Sequence, residues 1–389
     1  LPANLTLLER LGVAAEGQAI GMETWGAECV SPHHDAPQLF EFADAWNKSQ
    51  PYAYQVKRAE FDDILIRNAA RKGVEVHQGC KVHAVDFEAD ERVSVQARND
   101  DGSEQRWQAR FVVDASGRDT FLSHCFQIKH RNPRHNSSAV YCHFANARRH
   151  PGQAEGNITI FWFDHGWFWF IPMRDDTTSV GMVTWPYHMK TKGSRSLEQF
   201  LLDNISTCPR LTERLAGATR LTEVEATGNF SYVSERNHGR NYLMLGDAYA
   251  FIDPVFSSGV WLAMNSGVLG AETIATCLAN PAAAPAALKH FDARMRHGPR
   301  EFSWFIYRVT NPIMRDFFMG PKNVFRVKEA LLSVLAGDIF GRTPIWHSVL
   351  AFKGLYYLAN EFQPRRAYQA WRQRRFNIRK VDDPAVYNA

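Results

Sequence analysis

The segment over residues 245–259, LGDAYAFIDPVFSSG, combines an acidic side chain with a glycine-containing helix start. An apolar run precedes it, and the small residues that follow predict a helix over 260–278. The first N–H groups of a helix lack partners and lie at the positive end of its dipole, which suits an anion or a polarised carbonyl. The carboxylate of Asp247 suits a neutral hydroxyl, because it would repel a phosphate. A flavin offers both partners, whereas the alternative interpretation is an ordinary strand-to-helix connection.

A second unusual segment is WFWFIP, over residues 167–172. In a strand, alternation places Trp167, Trp169 and Ile171 on one face and two phenylalanines on the other. Because both faces are apolar, both should be covered, and the segment is predicted to be a central core strand. The alternative is a wall of indoles that separates two compartments.

Periodicity elsewhere predicts the elements that position these two segments. Alternating apolar residues predict a three-stranded antiparallel meander over 82–113 and a second β region over 139–185. The other predicted elements are helices over 4–12, 58–72, 197–204 and 211–215, strands over 17–30, 52–56 and 74–76, and a mainly helical pattern from 288 onward.

The chain resembles the flavin-dependent halogenases. The motif WxWxIP stands at 167–172, and F-x-x-P-x-x-S-x-G stands at 251–259. Segments 54–62 and 114–118 are similar to flavin-domain segments of this family and of the related aromatic hydroxylases. The resemblance covers most of residues 1–300, and the two motifs occur in the order that the family shows.

The resemblance implies an α/β (α+β) fold with a Rossmann-like FAD-binding domain, an antiparallel β-sheet substrate domain and a C-terminal helical region. We expect the FAD-binding domain over 1–138 and 220–298, the substrate domain over 139–219 and the helical region over 299–389. The aromatic and basic residues of this last part suit a cap over the substrate cavity. Docking of an acidic partner is the alternative.

The resemblance also implies roles for individual residues. The helix start at Ser258 and Gly259 would lie against the flavin and receive a halide, and Asp247 would hold the ribityl chain. Trp167 and Trp169 would keep the organic substrate away from the flavin. The implied cofactor contacts are Arg58, Gly246, Asp247, Pro254, Ser257, Ser258 and Gly259. The implied substrate channel is Trp167, Trp169, Ile171 and Pro172.

The implied activity is that of an FAD-dependent monooxygenase or halogenase-like oxidoreductase. Its cofactors would be O₂ and FAD reduced by a separate flavin reductase, with chloride or bromide for a halogenating enzyme. Its substrate would be a small aromatic or unsaturated molecule, either free or tethered to an acyl carrier protein.

Two features depart from the family pattern. The family begins with a strand followed by GxGxxG, whose backbone holds the FAD pyrophosphate. No GxGxxG occurs in this chain, and residue 1 is Leu, so we expect a chain truncated by its first βαβ unit. A flavin-free remnant that acts as an interaction module is therefore one alternative function.

The second departure concerns the lysine that directs hypohalous acid in halogenases, ahead of an aromatic-Gly segment like Trp25-Gly26. The first lysine here is Lys48, and the only earlier Lys or Arg is Arg10. No catalytic residue is assigned, since the carboxylate of Glu23 cannot donate unless it is protonated. This favours hydroxylation or another oxidation, with true halogenation as the alternative.

The composition excludes several other classes of protein. The net charge is +4 over 389 residues and the basic side chains are dispersed until the C-terminus, so no nucleic-acid partner is expected. Six cysteines without CxxC spacing favour a reducing, cytoplasmic location, and the histidines match no metal-ligand pattern. No apolar run reaches about 18 residues, so no membrane span is expected.

Overall fold

The computed structural model describes residues 1–88, 92–228, 230–340 and 343–379. It combines helices with several sheets, which confirms the predicted mixed class. The helices are α1 Asn4–Leu11, α2 Ala14–Ile20, α3 Arg58–Arg71, α4 Phe121–Cys125, α5 Pro186–Lys190, α6 Leu197–Ser206, α7 Pro209–Arg214, α8 Gly259–Ala279, α9 Ala284–Ile306, α10 Pro312–Met319, α11 Val327–Leu335, α12 Trp346–Phe362 and α13 Pro364–Arg379. The strands are β1 Met22–Thr24, β2 Gly26–Val30, β3 Gln38–Glu41, β4 Ala53–Gln55, β5 Cys80–Phe87, β6 Val93–Asn99, β7 Glu104–Ala109, β8 Val112–Asp114, β9 Lys129–Arg131, β10 Ser138–Ala145, β11 Ile158–Phe163, β12 Gly166–Pro172, β13 Thr178–Thr184, β14 Thr219–Arg220, β15 Glu225–Gly228, β16 Tyr232–Ser234, β17 His238–Gly239, β18 Tyr242–Met244 and β19 Ala250–Phe251.

The largest sheet has eight strands in the order β14-β10-β13-β12-β11-β2-β3, with β15 also paired to β10. The WFWFIP segment lies in β12, between β11 and β13. Trp167 packs in the core that the C-terminal helices share, whereas Phe168 and Phe170 pack on the opposite face with α6 and α7. The prediction of a central strand covered on both faces is therefore confirmed.

One glycine of this sheet leaves room for the indole of Trp169. Gly181 of β13 lies opposite Trp169 of β12. A Cβ atom on Gly181 would stand 2.2 Å from the Trp169 ring, so only glycine leaves room for the indole. The ring is fixed further by its Nε1–H, which donates to Ser179 Oγ at 3.0 Å.

The region around the segment 245–259 is built from shorter strands. β8 pairs in parallel with β18, and β18 pairs with β17. The predicted meander is confirmed as β5, β6 and β7. The predicted strand over 74–76 was wrong, because no strand pairs with it in the described part of the chain and Val74 is 56% exposed. The expectation for 17–30 missed α2, which precedes two strands there.

The C-terminal helices share one hydrophobic core with Phe256 of the segment 245–259. Phe302, Ile313, Leu332 and Phe352 of four different helices are buried together with Phe256. This confirms the predicted helical region. By length and composition α8 is apolar enough to cross a membrane. The sequence analysis did not predict this, because the apolar residues of α8 do not form one uninterrupted run. Such a helix is weak evidence of a span, and α8 packs against α9 in this fold.

Candidate functional site

The first half of the motif segment places a carboxylate without a partner beside α8. β18 leads to Gly246, whose φ of +50° and close approach to Ala263 of α8 favour glycine. The N–H of Gly246 donates to Ser266 Oγ at 3.0 Å, which ties the strand end to this helix. The backbone carbonyl of the next residue, Asp247, accepts a hydrogen bond from Tyr232 Oη at 2.8 Å, but its carboxylate makes no hydrogen bond or ion pair with another described residue.

The surroundings of Asp247 disfavour its charge. Burial raises the pKa of Asp247 from 3.8 to about 6, and the charges of Arg58 and Arg118 act in the opposite direction. A half-buried carboxylate without a partner is suited to accept hydrogen bonds from hydroxyl groups of a ligand. The role that the resemblance implies for Asp247, contact with the ribityl chain, stays a prediction.

The second half of the segment presents an uncapped helix start. Ser257 has a φ of +51°, which is uncommon for a residue other than glycine, and its N–H donates to Pro254 O at 2.8 Å. α8 begins at Gly259 and no side chain caps it, although Ser258 occupies the N-cap position. The first N–H groups of α8 are therefore free to bind a carbonyl or an anion.

A buried hydrogen-bonded group holds this loop. His135 Nε2 lies 2.7 Å from Asp253 Oδ2, which also accepts a hydrogen bond from Ser137 Oγ at 3.0 Å. Asp253 Oδ1 accepts from the N–H of Val255 at 3.0 Å. No sequence pattern predicts this arrangement, because 118 residues separate His135 from Asp253. The described residues contain no cluster of three or more His, Cys, Asp or Glu that could hold a metal ion.

Two small cavities lie on either side of Ser257. One, of about 170 Å³, is lined by Asn4, Arg58 and Ser257 among others, and the buried Oδ1 of Asn4 lacks a hydrogen-bond donor. The other, called the apolar cavity, has a volume of about 80 Å³ and includes Phe256 and Thr24 in its wall. Ser257 lines both cavities, as do Leu1, Tyr54 and Gln55, so the loop over residues 252–258, called the motif loop, contributes to both walls.

Thr24 is a candidate functional residue that sequence reasoning missed. It lies directly before Trp25-Gly26, is 2% exposed, and its hydroxyl donates to Gly26 O at 3.1 Å. No lysine or arginine lines the apolar cavity in the part of the chain that the structure describes. Arg58 lines the other cavity, with an exposed side chain that pairs with Asp62.

The predicted channel residues lie in the sheet rather than on these cavities. Trp167 is buried, and the Trp169 indole donates a hydrogen bond to Ser179. Ile171 and Pro172 pair with Ser179 and Thr178 at the end of β12. None of these four side chains lines either small cavity or the large cavity described next. Trp162, the cross-strand neighbour of Trp167, does line the large cavity.

The large cavity has a volume of about 530 Å³ and lies where the β11–β12 turn meets the C-terminal helices. Its wall includes Trp162, whose ring contacts Phe318 edge-on with centroids 6.2 Å apart. Phe318 lines the apolar cavity on its other side and stacks on Phe256 of the motif loop. Trp162 and Phe318 therefore form an aromatic partition between the apolar cavity and the large cavity.

The described residues fit the redox-active half of a flavin. The unpaired Asp247 suits the ribityl hydroxyls, and the uncapped start of α8 suits a ring carbonyl that gains negative charge on reduction. The chain contains no GxGxxG segment for the pyrophosphate. The residues thus support flavin binding at the ring and ribityl end.

Known proteins match this chain over most of its length. The family model for tryptophan halogenase matches residues 18–311. A tryptophan 2-halogenase of Chondromyces crocatus is 33% identical over 60% of this chain and 46% of its own length. A 1H-pyrrole-2-carbonyl-[peptidyl-carrier protein] chlorinase of Pseudomonas fluorescens is 28% identical over 74% of this chain and 65% of its own length. The chain thus spans about half to two thirds of these curated relatives.

Solved structures of halogenases are also similar to this chain. The myxobacterial chondrochloren halogenase CndH, an FAD-dependent halogenase, is 33% identical with a TM-score of 0.75, covering 90% of this chain and 82% of its own. The halogenase PltM in complex with phloroglucinol and FAD shares the fold, with a TM-score of 0.70 at 16% identity over 95% of this chain and 84% of its own. The chain belongs to the tryptophan halogenase family of flavin-dependent halogenases.

Proposed function

We propose that this chain acts in an FAD-dependent monooxygenase that oxidises an aromatic or unsaturated small molecule without halogenating it. The observation that carries the proposal is the apolar cavity beside Ser257. Thr24 stands there, and no lysine or arginine among the described residues lines it. Among the described residues, the lining of this cavity thus offers no lysine side chain to direct hypohalous acid.

The residues of the chain support distinct steps of such an oxidation. Asp247 and the start of α8 would hold and orient the flavin. Reduced by a separate flavin reductase, the bound flavin would supply the electrons that activate O₂, which is the oxidant. Phe256 and Phe318 exclude water from the apolar cavity because both rings are buried. Trp162 and Phe318 then separate the flavin side from a substrate in the large cavity.

The partners follow from the cavity and from the relatives. The large cavity has several aromatic side chains in its wall and suits an aromatic substrate. The chlorinase relative acts on a pyrrole carried by a peptidyl carrier protein, which supports a carrier-tethered substrate as one option. All six cysteines are unpaired, which supports a cytoplasmic location.

True halogenation is the second candidate function. It is favoured by the relatives, which include the tryptophan 2-halogenase and the pyrrole chlorinase. The uncapped start of α8 could also receive chloride or bromide. Under this alternative a donor other than a lysine in the apolar cavity directs the oxidant.

Product analysis separates the two functions. The protein from its natural coding sequence is incubated with FAD, a flavin reductase, O₂, bromide and an electron-rich phenol, followed by mass spectrometry. We expect a product with one added oxygen atom and no bromine. A brominated product would contradict the proposal. A flavin titration on the same preparation tests the third possibility, since a flavin-free interaction module would not bind FAD.

A further inference from the structure

Arg315 is a cation without a partner in the wall of the large cavity. It lies in the first turn of α10, and its Nε is buried without a hydrogen-bond acceptor. In the described ranges, its guanidinium makes no hydrogen bond or ion pair with any other side chain or carbonyl. Burial lowers the pKa of Arg315. The charges of Asp316 and Asp164 act in the opposite direction, but neither carboxylate forms an ion pair with Arg315 in the described ranges. A buried guanidinium N–H normally has an acceptor, so the Nε–H of Arg315 is available to an acceptor on a ligand.

Two further guanidinium groups in the same wall are bonded only to neutral groups. Arg308 donates to Trp304 O at 2.8 Å and to Tyr357 Oη at 3.0 Å. Arg374 donates to the carbonyl oxygens of Tyr307 and Arg134. Neither lies within 4 Å of a carboxylate in the part of the chain that is described. Burial and the charge of Arg308 lower the pKa of Arg374 to about 10.

The remaining charges of the wall do not neutralise this set. Arg366 pairs with Asp316 at 2.9 Å, and Asp164 is the one carboxylate among the described lining residues. Asp164 is exposed and acts on Arg315 only at longer range. Three guanidinium groups without a carboxylate partner, against one exposed carboxylate, leave the cavity with an excess of positive charge.

Aromatic side chains surround the same space. Trp162, Trp185, Tyr307 and Trp371 line the cavity. The buried Nε1–H of Trp162 also lacks an acceptor. The wall thus provides ring surfaces for a planar group and two kinds of unsatisfied donor, an indole N–H and a guanidinium.

We propose that the large cavity binds an aromatic ligand that carries an oxyanion, with Arg315 as the residue that pairs with it. This deepens the proposed function and rests on it for the conclusion that the ligand is the substrate. The oxyanion is either the carboxylate of a free aromatic acid or the phosphate of a phosphopantetheine arm. Arg315 then selects against neutral aromatic molecules, because without an anion its charge stays buried and uncompensated.

Calorimetric binding in the absence of reductant tests the site independently of turnover. The probes are 4-hydroxybenzoate with its neutral partner 4-hydroxybenzamide, and phosphopantetheine with its neutral partner pantetheine. For one of the two pairs we expect the anion to bind about tenfold more tightly than its neutral partner, as for a hydrogen bond to a charged group. The pair that shows the preference identifies the source of the oxyanion.

Variants assign the preference to Arg315. In Arg315→Gln we expect the preference to fall below about threefold while the neutral probe binds as before, which shows that the cavity is folded. Arg315→Lys should restore part of the preference for the anion, because lysine carries the positive charge but lacks the planar, bidentate donor geometry of the guanidinium. The control is Arg365→Gln, an exposed arginine on α13 outside the cavity wall, which should keep the full preference.

The outcomes distinguish the two proposals. Equal binding of anionic and neutral probes by the unsubstituted protein, or equal losses in Arg315→Gln and Arg365→Gln, would overturn the anion site. Bromination in the product assay with an intact preference in the binding assay would overturn only the proposed oxidation chemistry.

Discussion

The segment over residues 245–259 and the large cavity carry opposite charges without a partner. In the segment Asp247 is a carboxylate without a side-chain partner, and in the cavity wall Arg315 is a guanidinium without one. The segment is continuous over fifteen residues, whereas the large cavity is assembled from the β11–β12 turn, Trp185 just before α5, the connection between α9 and α10, and helices α10, α12 and α13. A sequence motif can therefore indicate a candidate cofactor contact, whereas no motif indicates the wall of the large cavity.

His135 connects the two regions, and its loss should have the largest effect. It bonds to Asp253 of the motif loop, and its ring packs against Trp185 and Tyr307 of the large cavity. His135→Ala leaves Asp253 buried without its main partner, which should lower the free energy of unfolding by about 3–5 kcal/mol. Urea denaturation at pH 7 measures this loss.

The matched control for His135 is His130→Ala. His130 also pairs with a carboxylate, Glu235, but both side chains are more than half exposed. An exposed pair contributes about 0–1 kcal/mol, so this variant should unfold close to the unsubstituted protein. Similar losses in the two variants would show that the buried group does not anchor the loop.

A substitution of Thr24 tests whether the missing lysine in the apolar cavity is what prevents halogenation. Thr24→Lys places an ammonium group in the apolar cavity, and overpacking should cost about 1–3 kcal/mol of stability. We expect brominated product to appear in the product assay where the unsubstituted protein gives none. Thr24→Ser, which keeps the hydroxyl, serves as the control and should give no bromination. A stable Thr24→Lys protein that binds flavin and still does not brominate would place the difference from halogenases elsewhere.

Asp247 should show opposite effects on stability and on flavin binding. Because the folded pKa of about 6 exceeds the ordinary 3.8, the folded state binds this proton more tightly. Stability from this group is complete below about pH 4 and is lost as the pH rises through about 6. Asp247→Asn lacks that loss, so above pH 6 it should be more stable by about 1–3 kcal/mol.

The same substitution should weaken flavin binding about tenfold, because a charged acceptor is removed. Fluorescence titration with FAD and urea denaturation at pH 4 and pH 8 measure the two effects. The control Asp63→Asn changes an exposed carboxylate on α3 and should alter neither. A stability gain that is equal at both pH values would contradict the pKa argument.

How much of the site the sequence predicted depends on how local each part is. Alternation predicted β12 and its two covered faces, and small residues predicted α8, because both patterns lie within one element. The bond from His135 to Asp253 and the wall around Arg315 join residues that are far apart in the chain, and no spacing rule indicates them. Trp162 was missed because it lies in an apolar run, ITIFWF, that also suits an ordinary core strand.

The smallest effect concerns which indole lies at the partition. Trp169→Phe removes one hydrogen bond, to Ser179, and should cost about 0.5–1.5 kcal/mol of stability without changing ligand binding, since Trp169 does not line the large cavity. Trp162→Phe loses no hydrogen bond, because its Nε1–H has no acceptor, yet it should weaken binding of the aromatic acid by removing part of the cavity wall. Calorimetric titration of both variants separates these expectations. If Trp169→Phe weakens binding and Trp162→Phe does not, the indoles of the WxWxIP motif rather than Trp162 form the boundary on the substrate side.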